Sequence, residues 1–300
     1  MSVASAPVEV PVAATERKAG LFSRLRLKGA PWIPLVILAM VLIAALGGES
    51  LAPHDPNGLN LAAAFKPPFW QTGGTYEYLL GTDNLGRDVL SRIMAGARVS
   101  AIVALYAIVF SGAIGTMLGI VAGYFGGITD AIIIRIAEIK MAIPSLALAL
   151  IFSATMEPGL STVIIVIVLT YWTWYARIIR SEILSLRERD YVAFAKVAGV
   201  GSLTIFFRHL LPNIFNTLVV LMTLQVGQVI LFEASLSFLG LGIQAPETSW
   251  GLMLADARQY ITYAWWGITM PGIAIMLTCL SSNLVGDWLR DLLDPKRRQL

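Results

Sequence analysis

Six stretches of this chain contain no Asp, Glu, Lys or Arg: residues 29–48, 99–129, 141–156, 158–176, 209–232 and 259–286. A bilayer core of about 30 Å is crossed by about 20 helical residues rising 1.5 Å each. The stretches therefore read as membrane spans. Composition agrees, with 57% of residues hydrophobic and only 14% charged, against roughly 25% charged in soluble chains. One soluble core of this size would still need a polar skin. The expected fold is all-α: a polytopic membrane protein with six transmembrane helices.

The distribution of positive charge orients those helices. With both termini on the cytoplasmic side, 17 of the 22 Lys and Arg lie in the cytoplasm. They fall in the N-terminal tail, around the 124–140 turn, between Arg177 and Arg208, and after Gly286. Lys66, Arg87, Arg92, Arg98 and Arg258 remain outside. This asymmetry follows the positive-inside rule. Residues 1–30 are small, Pro-containing and aperiodic, so a disordered cytoplasmic tail is expected there. Residues 31–98 then hold a retained first span and an extracytoplasmic loop. Residues 99–285 hold five further spans, and 286–300 a cytoplasmic amphipathic segment whose Lys296, Arg297 and Arg298 lie near anionic headgroups.

Within the second span, Gly115, Gly119 and Gly123 form two overlapping G-x-x-x-G steps. Without side chains they allow another helix backbone to approach closely in lipid. The third stretch is too short alone and must borrow from IIIRIAEIKMAIP. Arg135 and Glu138 are then i, i+3 neighbours that can pair. They serve either as snorkelling interfacial charges or as intramembrane functional ones. In the outer loop, Asp83 or Asn84 can cap a helix starting near Leu85, with Val89, Leu90, Ile93 and Met94 as its apolar face, lying at the outer surface.

The cytoplasmic loop 177–212 has helical periodicity. Ile178, Ile179, Ile183, Leu184 and Leu186 continue the fourth span inward. A short helix of about 191–198 ends at Gly199, a suitable C-cap, and Pro212 opens the fifth span, where its missing N–H is harmless. Ala193, Ala195 and Ala198 make that helix thin enough for another protein's groove. A solvated hairpin packed on its own bundle is the alternative.

This loop resembles the one carried by membrane subunits of bacterial ATP-binding-cassette (ABC) importers: Glu-Ala-Ala, three residues, Gly, nine residues, Ile, one residue, Leu-Pro. Ala195, Gly199, Leu211 and Pro212 match; Ala193, Phe194 and His209 depart. GTDNLGRDVLSRIMAGARVS, FRHLLPN, EASLSFLGLGIQAPETSWGLML and NLVGDWLRDLLDPKRR narrow the resemblance to C-type permeases of the dipeptide/oligopeptide/nickel subfamily. It covers roughly residues 80–297. It implies a type I importer permease fold in the bacterial inner membrane, forming half of a pathway for di- and oligopeptides by ATP-driven alternating access. It further implies a second homologous permease, two cytoplasmic ATPases and an extracytoplasmic binding protein as partners, with residues 191–205 as the coupling segment. The loss of Glu at Ala193 removes a possible salt bridge with the ATPase, but not the docking shape.

The residues exclude several other functions. There is no G-x-x-x-x-G-K-[ST] and no Gly-Lys dipeptide, so the chain lacks a phosphate-cradling loop. ATP and Mg are expected on the partner ATPases, and no cofactor or catalytic residue on this chain. H-E-x-x-H and G-x-S-x-G are absent, against intramembrane hydrolases of those kinds. The single Cys279 excludes an internal disulfide, and His54 and His209 lack a ligand-like spacing. A net charge of +3 gives no reason to expect nucleic acid. Glu233 and Trp250 are candidate pathway or gate residues, Glu233 because membrane-embedded ionisable groups are often functional, although an interfacial helix end explains it too. Nickel chelates, glutathione or another small solute are alternative cargoes. An ion-coupled secondary transporter would want internal repeats and mid-membrane acids, which the chain lacks.

Overall fold

The computed structural model describes residues 30–293, so the 1–29 tail and Lys296, Arg297 and Arg298 lie outside the described residues. Ten α-helices run in chain order: α1 (Trp32–Leu51), α2 (Val89–Phe125), α3 (Gly127–Ala142), α4 (Ser145–Thr155), α5 (Leu160–Leu186), α6 (Asp190–Val197), α7 (Ser202–Ile205), α8 (Leu211–Phe238), α9 (Trp250–Ala257) and α10 (Trp266–Leu293). Among the described residues the β pairing is a single bridge between Thr82 and Asp88. The chain is all-α.

Four segments are long and apolar enough to cross a bilayer: α2, α5, α7 running into α8, and α10. The apolar run of α1, Trp32–Gly48, is shorter. The third stretch does not form one helix. Pro144 has no N–H to donate and its ring crowds the carbonyl four residues back, so α3 stops at Ala142 and α4 restarts at Ser145. Arg135 and Glu138 do pair, at 3.3 Å, on a solvent-facing part of α3.

Gly115, Gly119 and Gly123 of α2 lie against α5. A Cβ on Gly115 would stand 2.3 Å from the Trp172 carbonyl oxygen, and one on Gly119 2.7 Å from that of Ala176. One on Gly123 would stand 2.8 Å from Ile183 Cβ. No side chain fits between these two backbones. Asp130 near the start of α3 holds Arg180 of α5, with Nη2 donating to Oδ2 at 2.5 Å. Arg187 Nη1 donates to the Gly123 carbonyl at 2.9 Å. The cytoplasmic end of the α2–α5 pair is thus closed by charge as well as shape.

Two starts differ from the sequence expectation. The outer helix begins at Val89 rather than near Leu85, and it is the first part of α2, not a separate surface helix. Asp88 is the cap, accepting from Ser91 N. Asp83 instead turns its carboxylate to the Leu85 and Arg87 amides, each at 2.9 Å. On the cytoplasmic side, the 191–205 segment is two pieces, α6 and α7, separated by the turn through Gly199.

Candidate functional site

The cytoplasmic hairpin grows out of an apolar knot. Ile179, Ile183 and Leu186 of α5 pack with Ile205, Leu210 and Ile214, and with Val192 from the inner face of α6. Val192 is fully buried, and Ala195 and Leu211 pack against the same cluster. The opposite face of α6 is bare: Ala193 is exposed, Phe194 is 72% exposed and Val197 87%. Lys196 Nζ lies 4.7 Å from the centre of the Tyr124 ring, tying α6 to the end of α2.

Gly199 closes α6 with φ +74°, a conformation that costs glycine little and other residues more. Its N–H reaches the Lys196 carbonyl, and Val200 N–H reaches that of Ala195, both at 3.0 Å. Pro212 is exposed in the first turn of α8. A five-residue π-type turn, Phe206–Leu210, leads into it. The hairpin is therefore a short helix held at both ends by long ones, with its apolar outer face free of this chain. Such a lever can pass rigid-body motion into the bundle.

The outer face is organised by charge. Asp83 Oδ2 accepts from Arg87 Nε and from Arg92 Nη1, both at 2.6 Å. Asp256 Oδ2, at the end of α9, accepts from Arg87 Nη2 at 3.4 Å and Arg92 Nη2 at 3.3 Å. Arg92 is only 2% exposed. Trp266 Nε1 donates to the Thr82 carbonyl at 2.9 Å, and Phe65 packs edge-on to Tyr260 and Tyr263. The outer loop is thus fastened to α2, α9 and the start of α10. This four-residue network escaped sequence reasoning. Its one signal was four charges packed into GTDNLGRDVLSR, just ahead of a long apolar run.

Glu233 and Trp250 do not line an open surface in this conformation. Glu233 is fully buried, accepting from Ser237 Oγ at 2.8 Å and Ser100 Oγ at 3.3 Å. Its hydroxyl neighbours take up the polarity that suggested a lining role, and it is not a water-exposed helix end either. Trp250 is 2% exposed and donates Nε1 to the Ile93 carbonyl at 2.9 Å. Both pin α2 to the α8–α9 region. Asp256 belongs to the charge network, and Glu247 is exposed. Among the described residues no group of three or more His, Cys, Asp or Glu could hold a metal ion.

Comparison with known proteins agrees with this layout. The family model of the binding-protein-dependent transport system inner membrane component matches residues 115–299. The dipeptide transport system permease protein DppC of Haemophilus influenzae is 41% identical over 267 residues, 89% of this chain and 90% of that one. The nickel transport system permease protein NikC of Escherichia coli is 38% identical over 263 residues, 88% of this chain and 93% of that one. An inward-facing structure of the MetNI methionine ABC transporter shares the fold at a TM-score of 0.55 and 16% identity, over 68% of this chain and 96% of that one. The chain therefore belongs to the binding-protein-dependent transport system inner membrane components, as a multi-pass permease subunit of a bacterial ABC importer that works with ATPase and substrate-binding proteins.

Proposed function

We propose that this chain forms half of a translocation pathway for di- and oligopeptides, opened and closed by ATP-driven alternating access. Its partners are a second homologous permease, two cytoplasmic ATPases that carry the ATP and Mg, and an extracytoplasmic binding protein. The chain itself carries no catalytic residue and no nucleotide. On this reading it crosses the membrane six times with both termini inside: α1, α2, α3 with α4, α5, α8 and α10. Residues 31–98 supply the first span and outer loop, 99–285 the permease core and 286–300 the inner amphipathic end.

The observation that carries the reading is α6, anchored by a buried Val192 and presenting exposed Phe194 and Val197. An apolar surface of this kind on the motor's side of the bundle needs a protein partner. The alternative cargo, a nickel chelate, is favoured by the similarity to NikC. Uptake of labelled dipeptides against a nickel chelate, by the complete importer in vesicles, separates the two.

Gly199→Arg tests the lever. No atom of the chain lies within 4 Å of a Cβ there, so the fold has room for the side chain and pays only for the φ of +74°. The guanidinium would instead wedge against the docked partner. The variant is expected to reach the membrane at near-normal levels, yet lose ATPase co-purification and uptake by about tenfold or more. Wild-type co-purification and uptake would remove the assigned role.

A further inference from the structure

Three carboxamide side chains on α8 and α10 have no partner within the chain. Gln228 and Asn216 of α8 and Asn283 of α10 are exposed, and none of the three side-chain amides has a hydrogen-bond partner among the described residues. The two helices pack closely and run in opposite directions. Cys279 Sγ donates to the Gly227 carbonyl at 3.3 Å, and Gly286 abuts Leu224. Gln228 therefore stands beside Leu280, and Asn283 within a turn of it.

The other faces of α8 are occupied. Val229, Ile230 and Glu233 are buried, Phe232 meets Tyr171 of α5 edge-on at 5.8 Å, and Gly227 touches α10. One strip remains, and it runs through Asn216, Gln228 and Leu231 with helical spacing. Gln228 lies about 26 Å along a helix of about 42 Å. Its exposed neighbours are aliphatic: Leu231, Met276 and Leu280. Hydrocarbon offers nothing to a carboxamide, so groups at this depth face water or protein rather than lipid.

From this placement we infer that the α8–α10 face bearing Gln228, Asn283 and Asn216 is a wall of the conduit that binds the peptide backbone in transit. The inference rests on the peptide reading above and specifies its chemistry. A primary amide offers both donors and an acceptor, which matches the donor and acceptor of a peptide bond. That group is common to all peptides, whereas the aliphatic surroundings are indifferent to their side chains. The wall carries no formal charge, so it does not trap a peptide by either terminus. Weak contacts at several levels let the cargo leave as readily as it enters.

The test uses the complete importer in vesicles, with Cys279→Ser in this chain so that Gln228→Cys is its one thiol. A hydrophilic, membrane-impermeant maleimide is the probe, read as a mass change of this chain. Gln228→Cys is expected to react and to be protected by saturating dipeptide. Phe110→Cys, on an exposed face of α2, is expected to stay unreactive. In a second arm, Gln228→Leu should lower dipeptide uptake about tenfold, the scale of one lost hydrogen bond or somewhat more, with ATPase co-purification unchanged. Gln228→Asn should recover part of it. The Leu variant should also narrow the preference for a dipeptide over its ester analogue, which lacks the N–H.

An unreactive Gln228→Cys in a complex that does transport dipeptide would mean the strip is covered by the second permease, and would overturn the wall. Wild-type dipeptide uptake in Gln228→Leu would overturn it as well. If the wild-type complex carries a nickel chelate and no peptide, the cargo reading fails first and takes this inference with it.

Discussion

Gly119→Leu is expected to abolish accumulation of well-folded protein. The Cβ alone would sit 2.7 Å from the Ala176 carbonyl oxygen and 3.0 Å from Ile179 Cβ, and leucine adds three more carbons. Neither obstacle is the free end of a flexible chain, so α2 and α5 would have to separate. Separation costs the dispersion contacts along the whole seam, from Tyr175 to Ile183. In lipid no hydrophobic gain returns them, because the tails are as apolar as the side chains. Overpacking costs about 1–3 kcal/mol in soluble cores, and a clash with main chain on a helix seam belongs at the upper end. The measurement is the monodisperse yield and Tm of the purified chain in detergent. Gly272→Leu on α10 is the control, since nothing lies within 4 Å of its Cβ. A wild-type Tm for Gly119→Leu, or equal losses for both variants, would show that the α2–α5 contact is not what holds the bundle.

Arg92→Met should give the other large loss, at the outer face. The guanidinium is buried and joins Asp83 to Asp256. Removing it leaves Asp83 with Arg87 alone and lets Asp256 drift from α2. Breaking one partner of a buried ionic network costs about 3–5 kcal/mol, because the remaining charge is left uncompensated. Asp83 keeps Arg87 at 2.6 Å, which places the expected loss near the lower figure. Asp256→Asn should cost much less. Its side chain is 32% exposed and its contacts are 3.3 and 3.4 Å, so water screens and replaces them, as for surface pairs worth about 0–1 kcal/mol. Thermal unfolding in detergent, with limited proteolysis of the 52–88 loop, reads both. If Asp256→Asn proves as damaging as Arg92→Met, the ranking by burial is mistaken.

Both predictions explain why this subunit tolerates polar residues so near its apolar spans. Asp83, Arg92, Glu233 and Trp250 each satisfy a partner on another helix or loop. Polar pairing therefore marks the joints of the outer half, whereas small residues and the Ile-rich knot mark those of the inner half.

The local features were readable from the chain itself. The uncharged stretches demanded a bilayer, the basic loops suggested an orientation, and the run from Tyr191 to Gly199 specified a short helix with a glycine stop, observed as Asp190–Val197 and φ +74°. Each of these depends on residues within a turn or two, or on transfer of a whole segment from water to lipid. What only the tertiary structure decided was pairing at a distance. Asp83 was a plausible cap for the outer helix until Arg92 and Arg87 claimed its carboxylate, and Asp88 then took the cap. Asp256 found those arginines from more than 160 residues away. Glu233 is enclosed by hydroxyls from α2 and its own helix, so its acidity does not face the cargo. Which of several chemically competent partners a charge takes depends on where the packed helices bring it, and no local pattern in the chain records that choice.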